Sequence, residues 1–141
     1  MQTFLPYSNF EQTAAVLDRQ RLGKQRVEAL QILQVLSGQT SAWSKHPAVL
    51  MWKDSEWWLA QYGATICQEW IKRGYKDNCL PRFLTIQNTL TKQNRLAFAP
   101  LWLVDPNFHR SHQSNLVRKN PNHYRQFFPD VPDDLPYIWP I

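Results

Sequence analysis

Residues 54–74 read DSEWWLAQYGATICQEWIKRG. Leu59, Tyr62, Ile66 and Trp70 recur three and four positions apart, the pattern of one buried helical stripe. Asp54 or Ser55 can cap the start, and Gly74 can stop the helix after Arg73. Lys72 and Arg73 at its end suit the helix dipole. Upstream, Val27, Leu30, Leu33 and Leu36 repeat every three residues and predict a helix from about Lys24 to Leu36, with Gly23 marking a junction. Ser8 to Glu11 reads as a capping box, so a short helix should follow with Phe10, Ala14 and Leu17 on one stripe. His46-Pro47 begins another short helix, with proline suited to its first position.

Downstream, the reading is helix from Leu80 to Gln93, loop over residues 99–103, helix from Asp105-Pro106 to about Lys119, and a short helix from Asn120-Pro121 to Phe127. Residues 128–141, FPDVPDDLPYIWPI, hold too many prolines for helix or central strand. They should lie extended on the body, pinned by Tyr137, Ile138 and Trp139. No stretch alternates as a strand would. The expected fold is all-α, with residues 1–141 forming a single domain and 128–141 its extended tail.

At 141 residues the chain is long enough to bury one core. No apolar run approaches the length of a membrane span, and MQTFLPYSNF lacks the basic start and apolar run of a signal peptide. Cys67 and Cys79 are therefore expected as reduced thiols in a cytoplasmic protein. The net charge is +5 and uneven: all sixteen Lys and Arg precede residue 126, against eight of the eleven acids. Such a body suits a polyanionic partner, nucleic acid first; a solvated basic surface gives the same composition.

Residues 17–30, LDRQRLGKQRVEAL, crowd Arg19, Arg21, Lys24 and Arg26 together and then place a carboxylate, Glu28. On a helix Arg21, Lys24 and Glu28 share a face. Lys24 and Glu28 can form an ordinary surface pair. Alternatively, the carboxylate is held inside a phosphate-binding surface, where phosphates would repel it unless it acts on a base or sugar.

Three stretches resemble the pyrimidine-dimer DNA glycosylase family, of the bacteriophage endonuclease V type. The segment from Gln20-Arg-Leu to Glu28 aligns with the family's basic helix and its catalytic glutamate. HPAVLMWKDSEWWLAQYGATICQEWIKRGYK, His46 to Lys76, is similar in order and spacing to the family's histidine, long helix, cysteine and Lys-Arg-Gly-aromatic ending. NFHRSHQSNLVRKNPNHYRQFFP resembles its last helix and aromatic C-terminal segment. The blocks LDRxRLGKQRVEALQIL and HRSHxSNL are also similar to an uncharacterised bacterial branch of the family.

The resemblance implies a DNA glycosylase with coupled abasic-site lyase activity. It would act on damaged double-stranded DNA through a chain-terminal amine and an imine, with Glu28 assisting and neither cofactor nor metal involved. It also makes His46 the family's histidine, although a histidine before a proline at a helix start can serve simply as a cap; the molecule is expected to be a monomer. Where the family exposes a threonine amine by removing the initiator, residue 2 here is Gln, which blocks that removal; the α-amine is then that of Met1, or of Thr3 after trimming. The family's arginines flanking the glutamate are Val27 and Gln31 here, and a further family histidine is Arg21. Those departures leave room for another modified base or nucleotide as substrate, or for a non-catalytic nucleic-acid-binding module.

His109 and His112, three apart beside Arg110, could pair on a metal, but acids and thiols are lacking nearby. DNA contact is the better reading for both, and for Arg110, Arg118 and Lys119. Cys67 is expected inside its helix without a catalytic role.

Overall fold

The computed structural model describes residues 1–95 and 98–141, and among these it forms helices and no strand. The helices are α1 (Phe10–Val16), α2 (Arg19–Leu36), α3 (Pro47–Leu50), α4 (Glu56–Lys72), α5 (Leu80–Lys92), α6 (Pro106–Lys119) and α7 (Pro121–Tyr124), with a 3-10 turn at Leu101–Val104. The all-α expectation is met. The turn occupies most of what was read as loop over residues 99–103 and extends one residue past it, and α7 stops before Phe127.

Helix α4 is central and packs against α1, α2 and α5. Its stripe is as expected: Leu59, Tyr62 and Ile66 are fully buried and Trp70 is partly buried. Gly74, with φ +95°, ends it in a conformation glycine adopts without strain. At Gly63 the interface with α5 is too close for a side chain, since an added Cβ would lie 2.3 Å from Cε1 of the fully buried Phe83. Gly63→Ala is therefore expected to cost about 1–2 kcal/mol net, overpacking outweighing the helix propensity of alanine. Urea unfolding of the variant checks this.

Helix α2 differs from its expectation at three places. It starts at Arg19, capped by Asp18, whose carboxylate accepts from the Arg21 N–H at 3.4 Å. It runs unbroken through Gly23, which is no junction: an added Cβ there would lie 2.8 Å from Cη2 of Trp70, so the glycine lets α2 approach α4. Val27 lies off the buried stripe and is 45 % exposed, because a spacing of three drifts away from a 3.6-residue turn. Similarly, Asn9 rather than Ser8 caps α1, accepting from the Gln12 N–H at 2.9 Å. Arg73 reaches past its own helix to the C-terminal end of α1, donating to Ala14 O at 3.0 Å and Leu17 O at 2.8 Å.

The chain start forms neither helix nor strand, yet Gln2 to Pro6 are buried. Buried backbone polar groups need hydrogen bonds, and here side chains from three helices supply them. Gln25 accepts from Phe4 N and donates to Gln2 O. The Tyr62 hydroxyl meets Phe4 O at 2.8 Å. His112 accepts from Leu5 N, His109 lies 2.7 Å from Leu5 O, and Gln113 donates to Pro6 O. Trp52, fully buried, donates to the Thr3 hydroxyl.

At the other end, α6 lays down the tail. Ser114 accepts from Leu135 N, Ser111 from Ile138 N, and Asn115 donates to Leu135 O. Tyr137 and Trp139 pack against the body, while Ile138 turns outward, 39 % exposed, so it does not pin the tail.

Candidate active site

The two ends of the chain meet over α2. Their meeting forms a pocket of about 300 Å³ lined by Met1, Gln2 and Phe4 from the amino-terminal segment, by Gln20, Arg21, Lys24, Gln25 and Glu28 from α2, and by Lys119 and Tyr137. Residues 20, 21, 24, 25 and 28 recur at helical spacing, so one face of α2 forms the floor.

Glu28 is partly buried in this floor. Its Oε2 accepts from Gln25 Nε2 at 3.1 Å and from the backbone N–H of Gln2 at 3.4 Å. Its Oε1 takes no hydrogen bond from the described residues. One residue before Gln2 is the chain terminus. Successive backbone nitrogens are at most about 3.6 Å apart, so the Met1 amine lies within about 7 Å of Glu28 Oε2. Thr3, by contrast, is fully buried in the core.

Around this pair stand three cations, Arg21, Lys24 and Lys119. Arg21 also bonds Asp18 at 3.2 Å. Burial alone would raise the Asp18 carboxyl, but hydrogen bonds from Tyr124 and Arg21 outweigh it and hold it below the ordinary range. His46 caps α3 with Nδ1 accepting from Ala48 N at 3.0 Å. Partial burial, and then the positive charge of the chain's amino terminus, push its pKa below the ordinary histidine value. Lys24 and Glu28 thus line a common pocket rather than a flat solvated face.

Other residues expected at a DNA surface are placed elsewhere. His109 and His112 are buried, 7 % and 0 % exposed, and cannot reach a DNA backbone from there. Both His109 nitrogens face carbonyl oxygens, of Leu5 and Leu103. His112 is pushed down to about 3 by burial and by His109, and so stays neutral. Arg26 points away from the pocket, 2.6 Å from Asp77 and over the Trp70 ring. Arg118 donates to Asn115 and to Asp133 O of the tail. Arg19 is exposed beside Tyr75, and Arg110 is exposed on α6; neither lines the pocket.

Arg26 and Asp77 give a prediction of their own. Burial tends to raise the Asp77 carboxyl, but hydrogen bonds from Leu80 N, Arg26 and Cys79 N together leave it below the ordinary 3.8. A depressed carboxyl stabilises the fold above its unfolded pKa, and that stability is lost as pH falls through the folded value. Arg26→Met should therefore cost about 3 kcal/mol at neutral pH, with the difference from the parent protein shrinking below about pH 4. Its affinity for duplex DNA should barely change. Urea titrations across pH and a binding isotherm check both parts.

Sequence reasoning missed Gln2, Gln25 and Tyr137. Gln25 carried a signal: it is a polar residue between Leu22 and Ala29 on the buried stripe of α2. Tyr137 carried none, since only the fold brings the tail to α2.

No curated protein and no solved structure matches the chain. A family model described as pyrimidine dimer DNA glycosylase matches residues 1–82, which include the buried amino-terminal segment, the whole of α2 and the long helix α4. This match covers more than half of the sequence, and the chain belongs to the pyrimidine dimer DNA glycosylase family.

Proposed function

We propose that this protein removes damaged pyrimidines from double-stranded DNA and then cleaves the abasic strand, using the Met1 α-amine as nucleophile and Glu28 as acid–base partner. The observation that carries the reading is the shared pocket: the carboxylate accepts from the N–H of the residue next to the terminal amine, 3.4 Å away. An α-amine has an intrinsic pKa of about 7.7–8.0 against about 10.4 for lysine, so far more of it is nucleophilic near neutral pH. The neutral amine attacks C1′ of the deoxyribose, its nitrogen bonds to C1′, and the bond from C1′ to the base breaks with the base taking a proton. Opening of the sugar ring protonates O4′ and leaves an imine on the terminal nitrogen. Glu28 stabilises the positive charge that develops at C1′ and passes protons to and from the sugar. Loss of a C2′ proton then expels the 3′ phosphate oxygen, and water hydrolyses the imine to regenerate the amine.

Arg21, Lys24 and Lys119 suit the phosphates flanking such a nucleotide. A base must leave the helix to reach a pocket of about 300 Å³, so duplex distortion accompanies binding. Borohydride reduction in the presence of abasic or ultraviolet-irradiated DNA tests the chemistry: a covalent protein–DNA adduct is expected on both, and its absence on both refutes the imine.

A second reading keeps the chemistry and changes the lesion. Val27 and Gln31, which stand where the resemblance expects arginines, are exposed on α2 and supply no cation. Oligonucleotides carrying a dimer or other modified bases separate the two readings, and strong dimer selectivity excludes the second.

A further inference from the structure

Gln25 lies one helical turn before Glu28 and is 1 % exposed. Four groups meet its amide: Phe4 N at 3.0 Å, the Tyr62 hydroxyl at 2.7 Å, Gln2 O at 2.9 Å and Glu28 Oε2 at 3.1 Å. The orientation is dictated by chemistry. A backbone N–H can only donate, so the atom facing Phe4 is Oε1. A carbonyl and a carboxylate can only accept, so the atom facing Gln2 O and Glu28 is Nε2. Both amide protons are thereby used, one on Gln2 O and one on the acid.

Tyr62, fully buried, locks the other side, its hydroxyl shared between Gln25 Oε1 and Phe4 O. Burial, and then the charge of Glu28, keep this phenol protonated. A glutamine with all its bonding capacity spent in a packed core has no freedom to swing. Leucine would fill the same space without hydrogen bonds, and would leave Gln2 O and Phe4 N unpaired.

We infer that Gln25 is a positioning residue that fixes the Glu28 carboxylate and the amino-terminal segment in one relation, so that acid–base group and nucleophile enter the pocket together. The inference rests on the catalytic reading of Met1 and Glu28 given above. Gln25 does not touch the reacting atoms; it acts through both partners.

Gln25→Glu isolates this role, since it keeps shape and puts an oxygen where Nε2 stood. Three acceptors then converge, and the arrangement holds only with a proton between the two carboxyls. The acid limb of the lyase pH profile should move up by at least one pH unit, with KM for abasic duplex changed less than threefold. An unchanged profile with lowered amplitude would reduce Gln25 to a structural residue and overturn the inference.

Should the variant not fold, NMR of the unmodified protein decides. The Gln25 side-chain amide signals should shift as Glu28 titrates, and Glu28→Gln should abolish that shift; signals indifferent to both pH and Glu28→Gln overturn the contact. If the unmodified protein forms no adduct with abasic DNA, the catalytic reading fails, and the amide titration still tells whether Gln25 holds Glu28.

Discussion

Glu28→Gln is expected to slow strand cleavage at an abasic site by about 100-fold or more, the usual scale of a lost acid–base group. Affinity for the same duplex should stay level or rise. The carboxylate sits among Arg21, Lys24 and Lys119, and removing its charge removes a repulsion toward phosphates. The fold should tolerate the change, because a glutamine oxygen can still accept from Gln25 Nε2 and Gln2 N. Single-turnover cleavage and a binding isotherm on the same oligonucleotide separate catalysis from binding. A non-catalytic binding module would show no cleavage that depends on Glu28.

The second large effect concerns the amine. Adding Gly-Ser between the initiator and the present Met1 should abolish borohydride trapping while leaving the helices intact. The contacts that fix the amino-terminal segment begin at Gln2, through Gln25, Tyr62, His112 and His109, so an extension leaves them in place. It replaces the terminal amine at Met1 with an amide, whose nitrogen is not nucleophilic. Circular dichroism verifies the fold, and trapping on abasic DNA reads the loss. Retained trapping would move the nucleophile to a lysine, with Lys24 and Lys119 the first suspects because both line the pocket.

Much of the helical scaffold could be read because its elements announce themselves locally. Leu59, Tyr62 and Ile66 mark α4, Gly74 ends it, and Asp105-Pro106 starts α6 with the aspartate accepting from Asn107 N. Gly23 was misleading because its low helix propensity is outweighed by a contact with Trp70, forty-seven residues away, that nothing local encodes.

The candidate site was half legible. Glu28 and its neighbours stood out by charge alone. Arg26, His109 and His112 looked equally available, yet each is committed to a buried partner: Asp77 for the arginine, and the backbone of Leu5 for the two histidines. A buried segment outside any helix or sheet must draw its hydrogen bonds from side chains, and those side chains look like surface polar residues until the segment is placed. The pocket wall formed by Lys119 and Tyr137 depends on the same long-range meeting of chain ends.

In the proposed mechanism the terminal amine and Glu28 act together in one pocket. Its most direct test is to trap the protein on abasic DNA with borohydride, digest the adduct and locate the attached residue by mass spectrometry. A single modified peptide is expected, carrying the sugar fragment on the α-nitrogen of Met1. Attachment to a lysine, or to the α-nitrogen of Thr3 after trimming, would contradict it.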